Sequence, residues 1–108
     1  MQQESDKPKA SKTTELVVVA TAKAKPGKQS DLEQALREVA APTRAQRGCL
    51  SFELFRLAQE PAAITALECW SSYEDHERHL QGDHVKTLMA RFAGILAAPP
   101  EIVAMKPL

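Results

Sequence analysis

Several features that mark specialised classes of protein are missing from this sequence. Its 14 basic and 14 acidic side chains balance, so no basic excess favours binding to nucleic acid or to an anionic membrane. No apolar stretch approaches the ~20 residues of a membrane-spanning helix, and residues 1–15 lack the apolar segment of a secretory signal. We therefore expect a cytoplasmic protein without nucleic-acid or membrane partners.

Cysteine and glycine are also scarce. Two cysteines, Cys49 and Cys69, are too few for a disulfide scaffold or a zinc cage of their own, and we expect buried free thiols. No serine nucleophile elbow is present. The glycines are scattered rather than grouped in a phosphate-binding loop; they are Gly27, Gly48, Gly82 and Gly94.

The three histidines, His76, His79 and His84, lie close together in the chain. A metal site would need a further ligand, for which Glu77 or Asp83 is available. The charged residues around His76 instead favour a solvated surface position for that side chain. We therefore expect no metal.

The apolar pattern divides the chain into a tail and one domain. Residues 1–15 are polar and without periodicity, which predicts a disordered tail. Residues 16–108 form the domain. Strands are predicted where apolar residues alternate or β-branched residues cluster, at 16–24, 49–55, 62–70 and 101–108. Helices are predicted from Ser30 to about Pro42, over 73–81, and from Asp83 to Pro99. Ser30 would cap the first helix in a capping box with Glu33.

The order of these elements is β-α-β-β-α-α-β, which indicates an α+β, ferredoxin-like fold with an antiparallel sheet. The helices would then lie on one face of the sheet and leave the other face uncovered. At this size, folding buries only about 60–65% of the surface that the unfolded chain exposes. We therefore expect a homodimer in which a second copy covers the open face.

Three residues are candidates for chemistry. His79 lies where a short helix should pack, so it could act as a base or acid beside an apolar pocket, or simply bond a carbonyl at the helix end. Glu68 falls on the apolar face of its strand, where it needs a partner such as Arg56 or serves as a pocket acid. Trp70, on the same face, is typical of a core residue.

Three segments together resemble the antibiotic biosynthesis monooxygenase family: GCLSFELFR at 48–56, ECW at 68–70 and HLQGDH at 79–84. Phe52 stands where the family more often has tyrosine. The resemblance runs from about residue 16 to residue 108. It implies a dimeric α+β barrel, and a reaction that oxidises quinols or polycyclic phenols with O2 and without metal, flavin or nicotinamide.

The resemblance also implies roles for particular residues. His79 and Trp70 would be catalytic, and a small aromatic substrate would be bound by Phe52, Glu68, His84, Met89 and Phe92. Some relatives degrade haem with an asparagine on the first strand, which is absent here, so haem degradation is not expected. Because a fold does not guarantee catalysis, a non-catalytic module that binds a small ligand, and an isomerase or hydrolase of a small metabolite, remain alternatives.

Overall fold

The computed structural model describes residues 13–108 of the chain. Within this range a four-stranded antiparallel sheet carries three helices. The elements in chain order are β1 (Leu16–Lys23), α1 (Gln29–Arg44), β2 (Cys49–Leu57), β3 (Glu60–Trp70), α2 (Tyr73–Leu80), α3 (Asp83–Ile95) and β4 (Glu101–Met105). The predicted order and fold class are confirmed.

The sheet has the strand order β2-β3-β1-β4, with β1 and β3 in the centre. β1 is antiparallel to β3 along its whole length, from Leu16 opposite Trp70 to Lys23 opposite Ala63. β2 and β3 form the predicted hairpin, in which Phe52 lies opposite Glu68, one residue from the expected partner Leu67.

The inner face of the sheet forms the core with the helices. Because side chains alternate along a strand, directly opposed pairs such as Val18 with Glu68 and Ala20 with Ala66 point to the same side. The main buried cluster joins this face to apolar residues of α1 and α3, including Leu32, Leu36, Leu88 and Phe92. A smaller cluster contains Leu16, Val18 and Trp70.

The outer face of the sheet is apolar and has no helix upon it. Val19 on β1 lies between Leu67 on β3 and Val103 on β4, so the three side chains form a row across the sheet. The exposed fractions of Leu67 and Val103 are 38% and 53%. This row is the centre of the uncovered face.

Helix α1 begins earlier than the predicted serine cap. It starts at Gln29 after Lys28, and no side chain caps it, so the predicted capping box at Ser30 is wrong. The physical reason is the preceding turn, in which Gly27 has a φ of 80° and the Lys28 N–H donates to the Lys25 carbonyl at 2.9 Å. The chain therefore enters the helix directly from this turn, at Gln29.

The predicted tail falls for the most part outside the described residues. Its last residue, Glu15, donates its backbone N–H to the Trp70 carbonyl at 3.0 Å. Among the described residues, none of the helices combines the length and apolar character that crossing a membrane requires.

Candidate functional site

An apolar cavity lies between the inner face of the sheet and helices α1, α2 and α3. Its volume is about 70 Å³, which exceeds the roughly 10–15 Å³ that one water molecule needs. Met89 and Ile102 also line it and are 39% and 45% exposed, so the cavity reaches the surface beside them. The side chains that line it are otherwise aliphatic and aromatic, apart from the polar side chains of Glu68, His76 and His79.

His79 lies on the buried side of α2 and lines the cavity. Its ring centroid is 4.9 Å from that of Trp70, and its Nδ1 is 2.5 Å from Oε1 of Gln46. Burial, reinforced by the neighbouring His76 and His84, lowers the pKa of His79 to about 4. The imidazole is therefore neutral at neutral pH, and it can accept a proton or a hydrogen bond.

Glu68 points from β3 into the same cavity and is buried. Its Oε1 accepts a hydrogen bond from Nε1 of Trp70 at 2.9 Å. Burial raises the pKa of Glu68, while the Trp70 bond acts in the opposite direction. The alternative of an ion pair with Arg56 is wrong, because Arg56 lies opposite Ile64, further along β3, and its guanidinium bonds to Glu33 on α1.

Trp70 lies behind the residues that line the cavity. It is fully buried, and it packs with Leu16 and Val18 in the smaller core cluster rather than lining the cavity. Its ring contacts those of His76 and His79, at centroid distances of 5.7 and 4.9 Å. Trp70 thus connects the two polar groups of the site, through its hydrogen bond to Glu68 and its ring contact with His79.

His76 was predicted to be a solvated surface residue, and this is wrong. The side chain is only 4% exposed and lines the cavity. Ser72 caps α2 by accepting a hydrogen bond from the Asp75 N–H at 3.0 Å, and the helix turns His76 and His79, three residues apart, toward the sheet. Burial lowers the pKa of His76, and its Nδ1 has no hydrogen-bond partner among residues 13–108.

His84 lies apart from the cavity. It is in the first turn of α3, and although its ring is 5.7 Å from that of His79, it lines a separate groove between α1 and α3 with Glu38 and Arg91. In the part of the chain that the structure describes, no three His, Cys, Asp or Glu side chains are grouped so that they could hold a metal ion.

The three remaining predicted substrate-binding residues all line the cavity. Phe52 from β2 and Phe92 from α3 are buried, while Met89 from α3 is partly exposed. The structure thus brings together Phe52, Glu68, His79, Met89 and Phe92, with Trp70 behind them and His84 outside.

Sequence reasoning missed Gln46 as a site residue. Its side chain contacts His79 across 33 positions of sequence. A lone glutamine in a polar segment between two elements carries no local pattern, so no signal in the sequence could have found it.

The fold and this site define a class of small α+β proteins with one apolar cavity between sheet and helices. The family model for antibiotic biosynthesis monooxygenases matches residues 15–91, which is more than half of the chain. The chain therefore belongs to the antibiotic biosynthesis monooxygenase family.

Solved structures share this fold. PA3566 from Pseudomonas aeruginosa is 28% identical, with a TM-score of 0.83 over 91% of this chain and 98% of that one. Rv0793 from Mycobacterium tuberculosis is 26% identical, with a TM-score of 0.82 over 86% and 94%. A structure described as an antibiotic biosynthesis monooxygenase shares the fold at 22% identity, with a TM-score of 0.80 over 86% and 98%. Among proteins with curated descriptions, none matches the sequence.

Proposed function

We propose that this protein is a monooxygenase that oxidises a small quinol or polycyclic phenol with O2, without metal, flavin or nicotinamide. The observation that carries the proposal is the neutral imidazole of His79 in a cavity whose walls are mostly apolar. Its apolar walls suit the face of an aromatic ring, and the imidazole suits the ring's hydroxyl group. At about 70 Å³ the cavity is smaller than such a ring, so the ring would extend through the opening beside Met89 and Ile102.

The reaction needs one proton acceptor and exclusion of water. His79 takes the proton of the substrate hydroxyl, and the phenolate gives one electron to O2, which becomes superoxide. The two radicals combine to form a carbon–oxygen bond at a ring carbon that carries hydrogen. The outer peroxide oxygen takes up the proton that this carbon loses, the O–O bond breaks as the ring carbonyl forms, and the departing hydroxide takes the proton from His79. One phenol and one O2 thus give one quinone and one water.

The cavity walls favour a neutral substrate. Among the described residues, the side chains that line the cavity include neither lysine nor arginine, while Glu68 provides a carboxyl group. An anionic group such as a phosphate would lose its hydration here without gaining a cationic partner. Phe52, Met89 and Phe92 would hold the ring by apolar contact.

The test is oxygen uptake with a panel of quinols and dihydroxynaphthalenes, in which only the excess over enzyme-free autoxidation counts. We expect an excess with the wild-type protein that falls roughly 100-fold or more in His79→Ala, because the proton acceptor is lost. Lys86→Ala is the matched control, because Lys86 is exposed on α3 and does not line the cavity; it should retain full uptake. Undiminished uptake in a folded His79→Ala protein would contradict the role of His79.

A second candidate is a binding module that holds a small apolar ligand without reaction. The observation that favours it is the pKa of about 4 for His79, which makes the free imidazole a weak base. Ligand binding without any enzyme-dependent oxygen uptake would support this candidate. Product formation without oxygen consumption would instead indicate an isomerase or a hydrolase.

We also propose that the protein is a homodimer in which the outer faces of two sheets pack together. The support is the row of Leu67, Val19 and Val103, because an apolar sheet face without a cover is costly in water. A second copy presents the same face, which suits a two-fold interface.

A cytoplasmic location is the last part of the proposal. Cys49 and Cys69 are both free thiols in half-buried positions. Burial raises the pKa of Cys49 to about 11, so its thiol stays protonated and unreactive. Free thiols are typical of reducing compartments.

A further inference from the structure

We propose that Gln46 is a positioning residue, which fixes the proton of His79 on Nδ1 and so leaves the lone pair of Nε2 free for the substrate hydroxyl. The importance of this for catalysis rests on the function proposed above. The position of the proton on the His79 ring does not depend on that function, because it is a property of the protein without substrate.

The backbone around Gln46 is held in place on both sides. The Gln46 N–H donates to the Thr43 carbonyl at 3.0 Å, and the Gln46 carbonyl accepts from the Cys49 N–H at 3.1 Å. Thr43 is fully buried, so the end of α1 is anchored in the core. The amide group of Gln46 is thus presented from a fixed loop rather than from a mobile surface segment.

The hydrogen bond between Gln46 and His79 has a defined direction. Oε1 of Gln46 lies 2.5 Å from Nδ1 of His79, and an amide oxygen can only accept. With the Gln46 amide in this orientation, Nδ1 carries the hydrogen. A neutral imidazole has one ring hydrogen, so Nε2 has none and presents its lone pair.

The other ring nitrogen is available for a ligand. The His79 ring lines the cavity, and its contact with Gln46 is made through Nδ1, so Nε2 is the ring nitrogen left for a ligand. The Trp70 ring, at a centroid distance of 4.9 Å, keeps the imidazole from turning over. With the opposite tautomer, Nε2 would offer a hydrogen to the hydroxyl and could not take its proton.

The test compares three proteins by 15N NMR of the His79 ring, which reports directly which nitrogen carries the hydrogen. Gln46→Met keeps the length of the side chain but cannot accept from an imidazole N–H. Gln46→Glu keeps an accepting oxygen. We expect hydrogen on Nδ1 in the wild-type protein and in Gln46→Glu, and a shift toward hydrogen on Nε2 in Gln46→Met. Gln46→Ala serves as a second variant without an acceptor if Gln46→Met does not fold.

Steady-state oxygen uptake supplies the second readout. In Gln46→Met we expect kcat to fall on the order of tenfold or more, with KM nearly unchanged, and Gln46→Glu should restore turnover. A wild-type His79 with its hydrogen on Nε2 would overturn the proposal, as would a tautomer that is the same in Gln46→Met. A shifted tautomer with unchanged kcat would overturn the positioning role. If no substrate is oxidised at all, the proposed monooxygenase function is contradicted. The NMR result still tests whether Gln46 fixes the tautomer of His79.

Discussion

At the scale of single residues, burial disfavours the charged form of two groups in the cavity, His79 and Glu68. The same cause acts in opposite directions: it lowers the pKa of His79 to about 4 and raises the pKa of Glu68. His79 is a weak base while the cavity is empty. A phenolate forming beside the ring would stabilise the imidazolium, so proton transfer and binding of the anion support each other.

Gly48 provides a prediction at this scale. Its φ is 87°, and a Cβ at this position would overlap the carboxylate of Asp75. That carboxylate cannot easily move, because it accepts hydrogen bonds from Ser71 and Arg78, both at 2.6 Å. We expect Gly48→Ala to lower the free energy of unfolding by about 2–4 kcal/mol, measured by urea denaturation.

Gly94→Ala is the matched control for this change. Gly94 lies inside α3, and a Cβ there would meet no atom within 4 Å. Alanine is the better helix former, so this variant should be more stable by about 0.5–1 kcal/mol. Equal stability of Gly48→Ala and the wild-type protein would show that the close approach to Asp75 is not a constraint.

At the scale of elements, the strands and helices were predictable because their signals are local. Because side chains alternate between the two faces of a strand, one face of β3 was predicted to carry Ile64, Ala66, Glu68 and Trp70. All four are buried. Of the residues that the resemblance placed around a pocket, Phe52, Met89 and Phe92 line the cavity, whereas Trp70 packs behind it with Leu16 and Val18. These positions follow from the periodicity of one element together with the family resemblance.

The contacts that could not be predicted join segments far apart in the chain. The burial of His76 depends on how α2 docks on the sheet, which its polar neighbours do not reveal. Arg56 bonds to Glu33 on α1 rather than to Glu68 because strand register and helix position together decide which carboxylate is in reach. The bond from Gln46 to His79 is of the same kind.

At the scale of the whole molecule, the proposed dimer predicts the effect of a charge on the outer face. Leu67→Lys places an ammonium group in the centre of that face. Glu53 lies opposite Leu67 on β2 and can pair with the new charge, so the sheet itself should remain intact. We expect the wild-type protein to sediment as a dimer in analytical ultracentrifugation and the variant as a monomer.

Tyr73→Lys is the control for the dimer experiment. Tyr73 is 54% exposed, but it lies on α2 and not on the outer face of the sheet. This variant should remain a dimer. A dimeric Leu67→Lys protein, or a monomeric wild-type protein, would contradict the proposed interface.

The most direct test of the central claim is the fate of the oxygen atoms of O2. The protein is incubated under 18O2 with the substrate that shows the largest uptake, and the mass of the quinone is measured. A parallel reaction in 18O-labelled water corrects for exchange of the quinone oxygens. We expect one 18O atom from O2 in each quinone molecule that forms by the enzyme-dependent reaction. An unlabelled quinone would mean that O2 serves only as an electron acceptor, and it would contradict the assignment as a monooxygenase.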